Sequence, residues 1–379
     1  MHIVADDNIP YAAEAFATLG RVTLVDGPNL TRAQLRDTDI LCIRSTRRVT
    51  EDLLAGTPVR FVATASIGFD HVDLGYLRRK GIGFAAAPGS NANSVGEYVI
   101  SALLAVGEAR NISWPGCTMG LIGVGNVGSN VRAKIEALGM CPVLNDPPLF
   151  DRTNDPLYRP LAEVLACDVI SLHVPLTATG PYPTRHLADD EFFRQVRRCR
   201  LFINTARGGV LDTAALRRAM AAGRVDDAVL DVHETEPQVR PEDVTGMTYV
   251  TPHIAGHSLD GKVDGTRQIY EAVGRFLDVA PVWPGPASLP PPAHRELRID
   301  IGRTDRPAAL AAAVMAAYDI RRDDAAFRRL LATRPGADGF QNFRKTYHVR
   351  REFPATRVRL TRPDPELAAA FQKLGFRTA

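Results

Sequence analysis

The sequence predicts an α/β chain with two doubly wound parallel-sheet domains and a small α+β domain at its C-terminus. Three observations carry this. Short apolar runs alternate with helix-spaced segments over the first 255 residues, and strands separated by helices pair in parallel with both faces covered. The texture changes near residue 90 and again at 281–292, a stretch with six prolines that reads as a linker. A chain of 379 residues is also long enough for two or three domains, each with its own core.

Taken in order, HIVAD opens the first sheet, 11–19 has helical spacing, and Gly20 stands where a helix ends. VTLVD, DILCI, RFVAT and IGFAA follow as strands, with helices expected at 30–36, 51–55 and 72–80. SNANSVGEYVISALLAVGEAR then carries a capping box, Ser94 to Glu97, at the head of a long apolar helix. That helix is the expected crossover into the second domain. CTMGLIG, CPVLND, DVISLHV, RLFINT, DAVLDV and MTYVT supply its strands, and 259–277 reads as a long helix returning to the first domain. Beyond the linker, helical segments at 307–318, 323–331 and 365–374 surround a strand-like TRVRL. The expected boundaries are 1–93 with 256–280, then 94–255, then 281–379.

Composition excludes several classes. At 45% hydrophobic and 23% charged the chain is ordinary for a soluble globular protein. No apolar run approaches a membrane-spanning length, and residues 1–10 lack a basic, apolar leader pattern. Cysteines 42, 117, 141, 167 and 199 are scattered with no C-x-x-C pair, which suits reduced thiols in a cytoplasm. A net charge of +3 does not argue for nucleic acid. After residue 294 there are 18 Lys and Arg against 10 Asp and Glu, but acids and bases interleave, as on a solvated face. Neither a membrane nor a nucleic-acid partner is expected.

Gly123-Val124-Gly125-Asn126-Val127-Gly128 follows a strand and opens a helix. Such glycines permit a tight turn and bring backbone N–H groups to a pyrophosphate at the helix N-terminus. Asp146 lies 18 residues on, at the end of the next strand, where a carboxylate can take the ribose hydroxyls and repel a 2′-phosphate. The reading is a Rossmann domain with NAD as cofactor, beside a flavodoxin-like first domain.

Arg207, Glu236 and His253 each end a later strand, and in a doubly wound sheet the carboxyl ends gather at one crevice. Oxidising an alcohol beside a carboxylate needs these types: an imidazole to take the hydroxyl proton, a carboxylate to orient it, and a guanidinium fork to hold the substrate. On this reading Arg207 is left unpaired for the substrate. Each residue also has an ordinary alternative: His253 as a strand cap, Glu236 in a solvated turn, Arg207 paired with Asp231.

GVGNVG, NDPP, HVPLT, INTARGGVLD, DVHETEP and TPHIAG, in this order, resemble the D-isomer specific 2-hydroxyacid dehydrogenase family. DDNIPYA, SIGFDHVD, AAPGSNA, HIAG-x-SLDGK-x-x-GT and YDIRRDDAAFR extend the resemblance over nearly the whole chain. They narrow it to a branch whose substrate is a 4-phosphorylated four-carbon 2-hydroxy acid in pyridoxal phosphate synthesis. The resemblance implies Arg207 and Glu236 as active-site residues and His253 as the acid/base. It implies NAD contacts at Asn126, Val127, Asp146, Val174, Thr205, Ala206, Arg207, Asp231 and Gly256, beside Gly123, Gly125 and Gly128. Substrate contacts would fall at Ser45 and Ser66, and a homodimer would form through the C-terminal domain. The chain departs from the family in having His257 in place of a tyrosine, which is expected to bind the phosphate end more strongly as pH falls. It also has Ser66 in place of threonine, and Val174, where only a backbone contact survives. His253 and His257 are four apart, but no third ligand is evident and no metal is expected. Arg44, Arg47 and Arg48 follow a strand and are candidates for the phosphate, or a solvated basic turn. The competing functions are oxidation of another small 2-hydroxy acid, such as 3-phosphoglycerate, and an NAD-sensing co-regulator on the same fold.

Overall fold

The computed structural model describes residues 1–378. The chain divides into two compact units, Met1–Asn91 with His257–Pro290, and Ala92–Gly256 with the segment from Pro291 onward.

The first unit begins β1 (His2–Asp6), α1 (Ala12–Phe16), β2 (Arg21–Val25), β3 (Ile40–Ile43), α2 (Glu51–Leu54), β4 (Phe61–Thr64), α3 (Leu74–Lys80) and β5 (Gly83–Ala85). Its strands pair in parallel in the order β2-β1-β3-β4-β5. This is the flavodoxin-like order, with the direction of winding reversing between β1 and β3. β3 and β4 are buried along their length, which fits the near-continuous apolar runs ILCI and FVAT. The helix expected at 30–36 is a short 3-10 turn, Arg32–Leu35.

α4 (Ala92–Arg110) opens the second unit. It starts before the expected cap, so Ser94 and Glu97 lie inside the helix and are buried. Glu97 Oε1 accepts from Asn93 Nδ2 at 2.9 Å and from the Phe353 amide at 2.7 Å. The acid that reads as a cap partner is instead a tie to the C-terminal segment. There follow β6 (Thr118–Ile122), α5 (Asn126–Ala137), β7 (Cys141–Asn145), α6 (Pro147–Thr153), α7 (Leu161–Val164), β8 (Val169–Leu172) and α8 (Asp190–Gln195). β9 (Cys199–Asn204), α9 (Thr213–Ala221), β10 (Val225–Leu230), α10 (Pro241–Val244) and β11 (Tyr249–Val250) complete the alternation. The parallel order is β11-β10-β9-β8-β6-β7, and a single bridge, Leu144 to Tyr158, continues the β7 edge. The winding reverses between β6 and β8, the switch point where such sheets bind ligands.

α11 (Leu259–Leu277) rejoins the first unit, packing Ile269, Tyr270 and Val273 against Ile3, Phe16 and Ile40. The Tyr270 hydroxyl accepts from the amides of Val282 and Trp283 at 2.9 and 3.0 Å, pinning the start of the proline-rich stretch.

The C-terminal segment holds β12 (Glu296–Ile299), α12 (Arg306–Ala317), α13 (Ile320–Thr333), α14 (Ala337–Lys345), β13 (Arg357–Leu360), α15 (Pro365–Leu374) and β14 (Arg377–Thr378). Its strands form a parallel sheet, β12-β13-β14. The sequence suggests a separate domain over 281–379, but residues 281–290 fall in the first unit, and from Pro291 on the segment shares its apolar interior with the nucleotide unit. Leu310, Val314, Phe353 and Phe371 join one core with Tyr98, Ile100, Val131 and Ile135, and Phe327 and Phe340 join another with Phe202 and Leu230. A segment under a hundred residues buries little on its own; this one completes its core on the outer faces of α4 and α5. Several of its bases are paired within the chain, Arg306 with Asp364, Arg321 with Asp319 and Glu108, and Arg328 with Asp324.

Candidate active site

The glycine turn sits at the switch point of the second sheet. Gly123 has φ +88°, and a Cβ there would lie 2.8 Å from the His173 carbonyl oxygen. A Cβ at Gly128 would lie 2.1 Å from the Gly123 carbonyl oxygen, so α5 packs this close only because the residue is glycine. Gly125 faces open space, with nothing within 4 Å of its would-be Cβ. It precedes α5 and gives that helix no side-chain cap. The amides of Asn126, Val127 and Gly128 therefore stand at a helix start built for an anion. The donor set and the open approach fit a dinucleotide pyrophosphate.

Asp146 stands at the end of β7 and spans to this turn. Its Oδ2 accepts from the Val124 amide at 2.8 Å and its Oδ1 from the Leu149 amide at 3.0 Å. Each oxygen keeps a further lone pair for hydroxyl donors. Beyond β8, Val174 is half-buried beside His173. The His173 Nε2 is 3.0 Å from Ser171 Oγ and its Nδ1 3.2 Å from Thr205 Oγ1. Burial pushes His173 from 6.5 down to about 3, so it is a neutral floor beneath the glycine turn. Thr205 and Ala206 follow β9, where buried Asn204 holds the turn: its Oδ1 accepts from the Ala206 amide and its Nδ2 donates to the Arg207 carbonyl, at 3.0 and 3.1 Å.

Arg207 is half-buried and extended (φ −144°, ψ 146°). Its guanidinium is engaged, Nη1 donating to the Ala206 carbonyl at 2.8 Å, which corrects the expectation of a bare cation. The next residue shows why a glycine follows it: a Cβ at Gly208 would lie 2.0 Å from the His233 carbonyl oxygen. The arginine turn is thus in backbone contact with the loop that carries Glu236.

Glu236 Oε1 and His253 Nδ1 are 2.8 Å apart, and Glu236 Oε2 accepts from the His233 amide at 3.1 Å. Burial works to raise the Glu236 carboxyl, but the His253 charge, the His253 hydrogen bond and the His233 amide outweigh it and hold it at about 2. A carboxylate on Nδ1 fixes that nitrogen as the N–H and leaves Nε2 for proton exchange. His253 is in the left-handed region, φ +57°, uncommon for a side chain of this size. Asp231 holds it there. The Asp231 carbonyl accepts from the His253 amide at 2.6 Å. Its Oδ1 accepts from the Ile254 amide and Thr251 Oγ1, and its Oδ2 from the Ala255 amide, at 2.8, 2.6 and 3.0 Å. Asp231, expected beside NAD, is buried and commits its carboxylate to the histidine loop. Gly256 ends this unit half-buried.

In the first unit, Ile43 and Thr64 are register partners on β3 and β4, so Ser45 and Ser66 stand two residues beyond adjacent strand ends. Ser45 is exposed and Ser66 half-buried. Arg44 Nη1 donates to the Asn8 carbonyl at 3.3 Å, across the β1/β3 switch point. Arg47 Nε is buried with no hydrogen-bond partner among the described residues, and Arg48 is exposed. His257 is half-buried just before Ser258, whose Oγ accepts from the Gly261 amide at the start of α11. Sequence reasoning missed His173 and Asn204, which support the turns at Thr205 and Arg207. The first sits in HVPLT and the second in INTARGG, so both were visible in motifs whose neighbours were chosen instead.

Residues 106–255 match the family model of the D-isomer specific 2-hydroxyacid dehydrogenase NAD binding domain. Residues 288–375 match a second model, described as a domain of unknown function. The chain is 44% identical over 377 residues to erythronate-4-phosphate dehydrogenase of Cronobacter sakazakii (strain ATCC BAA-894), covering 99% of this chain and 98% of that one. It is 42% identical, with the same coverage, to the enzyme of the same name from Escherichia coli (strain 55989 / EAEC). Among solved structures it is similar to the TT0316 protein of Thermus thermophilus, with TM-score 0.64, 26% identity, and coverage of 76% of this chain and 100% of that one. It is also similar to a D-lactate dehydrogenase from Aquifex aeolicus complexed with NAD and lactic acid, with TM-score 0.58, 26% identity, and coverage of 73% and 95%.

Proposed function

Since the chain belongs to the erythronate-4-phosphate dehydrogenases of the D-isomer specific 2-hydroxyacid dehydrogenase family, we propose that it oxidises 4-phospho-D-erythronate to 3-hydroxy-2-oxo-4-phosphooxybutanoate with NAD, a step towards pyridoxal 5′-phosphate. The observation that carries the chemistry is the 2.8 Å contact between His253 Nδ1 and Glu236 Oε1 at the carboxyl end of the nucleotide-binding sheet. Gly123, Gly125, Asn126, Val127 and Gly128 receive the pyrophosphate, and Asp146 takes the ribose hydroxyls. Val174, Thr205, Ala206 and Gly256 line the rest of the cofactor's path, and buried Asp231 supports it by holding the His253 loop. Bound NAD supplies the acceptor for the C2 hydride.

His253 Nε2 takes the proton of the C2 hydroxyl as the alcohol becomes a ketone, and Glu236 stabilises the imidazolium that results. Arg207 presents its guanidinium fork to the substrate carboxylate and the C2 oxygen. Ser45, Ser66 and His257 are the substrate contacts of the first unit. Arg47 is the cation best suited to the phosphate there, because its buried Nε lacks an acceptor among the described residues. The direct test is NADH formation from 4-phospho-D-erythronate against 3-phosphoglycerate. A kcat/KM at least about 100-fold higher for the first is expected, and equal values reject the assignment.

We also propose a homodimer formed through the C-terminal segment. Its support is an apolar groove of about 900 Å³ away from the catalytic residues, lined by Trp114, Pro115, Pro307, Met315 and Leu367. Sedimentation at micromolar concentration tests it, and a monomer rejects it. Cys42, Cys167 and Cys199 are free and buried, which supports a reducing cytoplasm. No helix among the described residues is long and apolar enough to cross a membrane.

A further inference from the structure

α14 is fastened to the loop that carries Glu236. The Gly336 amide donates to the Val239 carbonyl at 2.8 Å, and the Ala337 amide to Gln238 Oε1 at 3.3 Å. The Phe340 ring meets the His233 ring edge-on, centroids 6.4 Å apart, and the His233 amide donates to Glu236. From this helix Arg344 extends over Phe340, its guanidinium carbon 5.6 Å from the ring centroid. Its Nε is buried with no hydrogen-bond partner among the described residues. Burial works against its charge, and the carboxylates of Glu236 and Asp231 act on it in the opposite direction. Arg328, on the helix before, shows the ordinary arrangement: it is paired with Asp324 and donates to the Met247 carbonyl. A buried guanidinium nitrogen without an acceptor is costly unless an anion arrives.

We propose that Arg344 is a substrate-binding residue, a second guanidinium beside the Glu236–His253 pair that takes an oxyanion of the substrate, supplied by the C-terminal segment. The inference rests on the 2-hydroxy acid reading above. It assigns the segment after the proline-rich stretch a part in the active site of its own chain. The group bound is a carboxylate or a phosphate, both suited to a guanidinium fork.

The test compares wild type, Arg344→Met and Arg344→Lys in steady-state oxidation of 4-phospho-D-erythronate and of erythronate without the phosphate. NADH binding is followed separately by fluorescence. Arg344→Met is expected to raise KM about 10- to 100-fold, the loss of one charge-assisted hydrogen-bonding group, with NADH affinity unchanged. Arg344→Lys should recover part of that, since an ammonium keeps the charge and loses the fork. A KM penalty that vanishes with erythronate assigns the phosphate, and one that persists assigns the carboxylate; both support the inference. A KM within twofold of wild type in Arg344→Met, with NADH still bound, overturns it. Should that variant not fold, an unchanged KM in Arg344→Lys overturns it equally. If wild type turns over neither substrate, the functional reading falls alone. Protection of the NADH-bound protein against heat by inorganic phosphate then decides. Weaker protection in Arg344→Met supports the oxyanion site, and equal protection refutes it.

Discussion

The left-handed backbone at His253 costs about 1 kcal/mol, and Asp231 offsets it with four hydrogen bonds to residues 251–255. The strained turn sets the imidazole against Glu236. Its carboxyl, lowered from 4.5 to about 2, contributes stability that is present above 4.5 and lost as pH falls towards 2. Glu236→Gln is therefore expected to lower kcat by about 100-fold and to lose this acid-side stability, as read by rates and by unfolding at pH 3 to 5. Asp146→Ala should raise the KM for NAD about tenfold and weaken exclusion of NADP, measured with both cofactors. His257→Tyr should change the KM for the phosphorylated substrate and flatten its pH dependence; an unchanged profile removes His257 from the site. Asp146, Arg207, Glu236 and His253 stood out in the sequence because each follows a strand-like run in a spaced motif, although Glu236 lies six residues beyond the end of β10. Arg344 did not, because what distinguishes it is a missing acceptor, and sequence carries no record of that.

Elements explain how such distant residues meet. Gly208 lets the Arg207 turn touch the backbone at His233, and α14 clamps the other side of the same loop. Gly208→Ala is expected to push the two loops apart, lowering kcat/KM by about 100-fold while NAD still binds. Gly128→Ala should instead lose NAD binding, because its Cβ meets the Gly123 carbonyl; calorimetry with NAD separates the two. The central parallel strands β1, β3, β4 and β8 were readable because burial on both faces makes them near-continuously apolar, and α11 and α15 were readable by their spacing. β12 is four residues long and follows closely on the proline-rich stretch, and α14 is short and half-exposed, so both escaped. The supposed cap at Ser94 failed because buried Glu97 serves a tertiary contact, which local pattern cannot distinguish from a capping box.

At the scale of the molecule, buried titrating groups bound the stability profile on both sides. His173, held neutral down to about 3, opposes folding as pH falls from 6.5, since the unfolded chain gains that proton first. Glu97 runs the other way. Burial, then the Glu352 charge, raise it to about 8, so stability is lost as pH rises from 4.5 through 8. Glu97→Gln should flatten the alkaline slope, as read by denaturant unfolding at pH 6 and 9. The sequence suggested three domains, whereas burial merges the last into the nucleotide unit, because shared cores depend on faces that only folding brings together.

The proposed chemistry stands or falls on His253 as the proton acceptor beside a bound cofactor. NADH production from 4-phospho-D-erythronate by His253→Ala, with NAD affinity measured on the same sample, tests this most directly. The rate should fall by about 1,000-fold with NAD affinity within twofold of wild type; a rate within tenfold of wild type contradicts it.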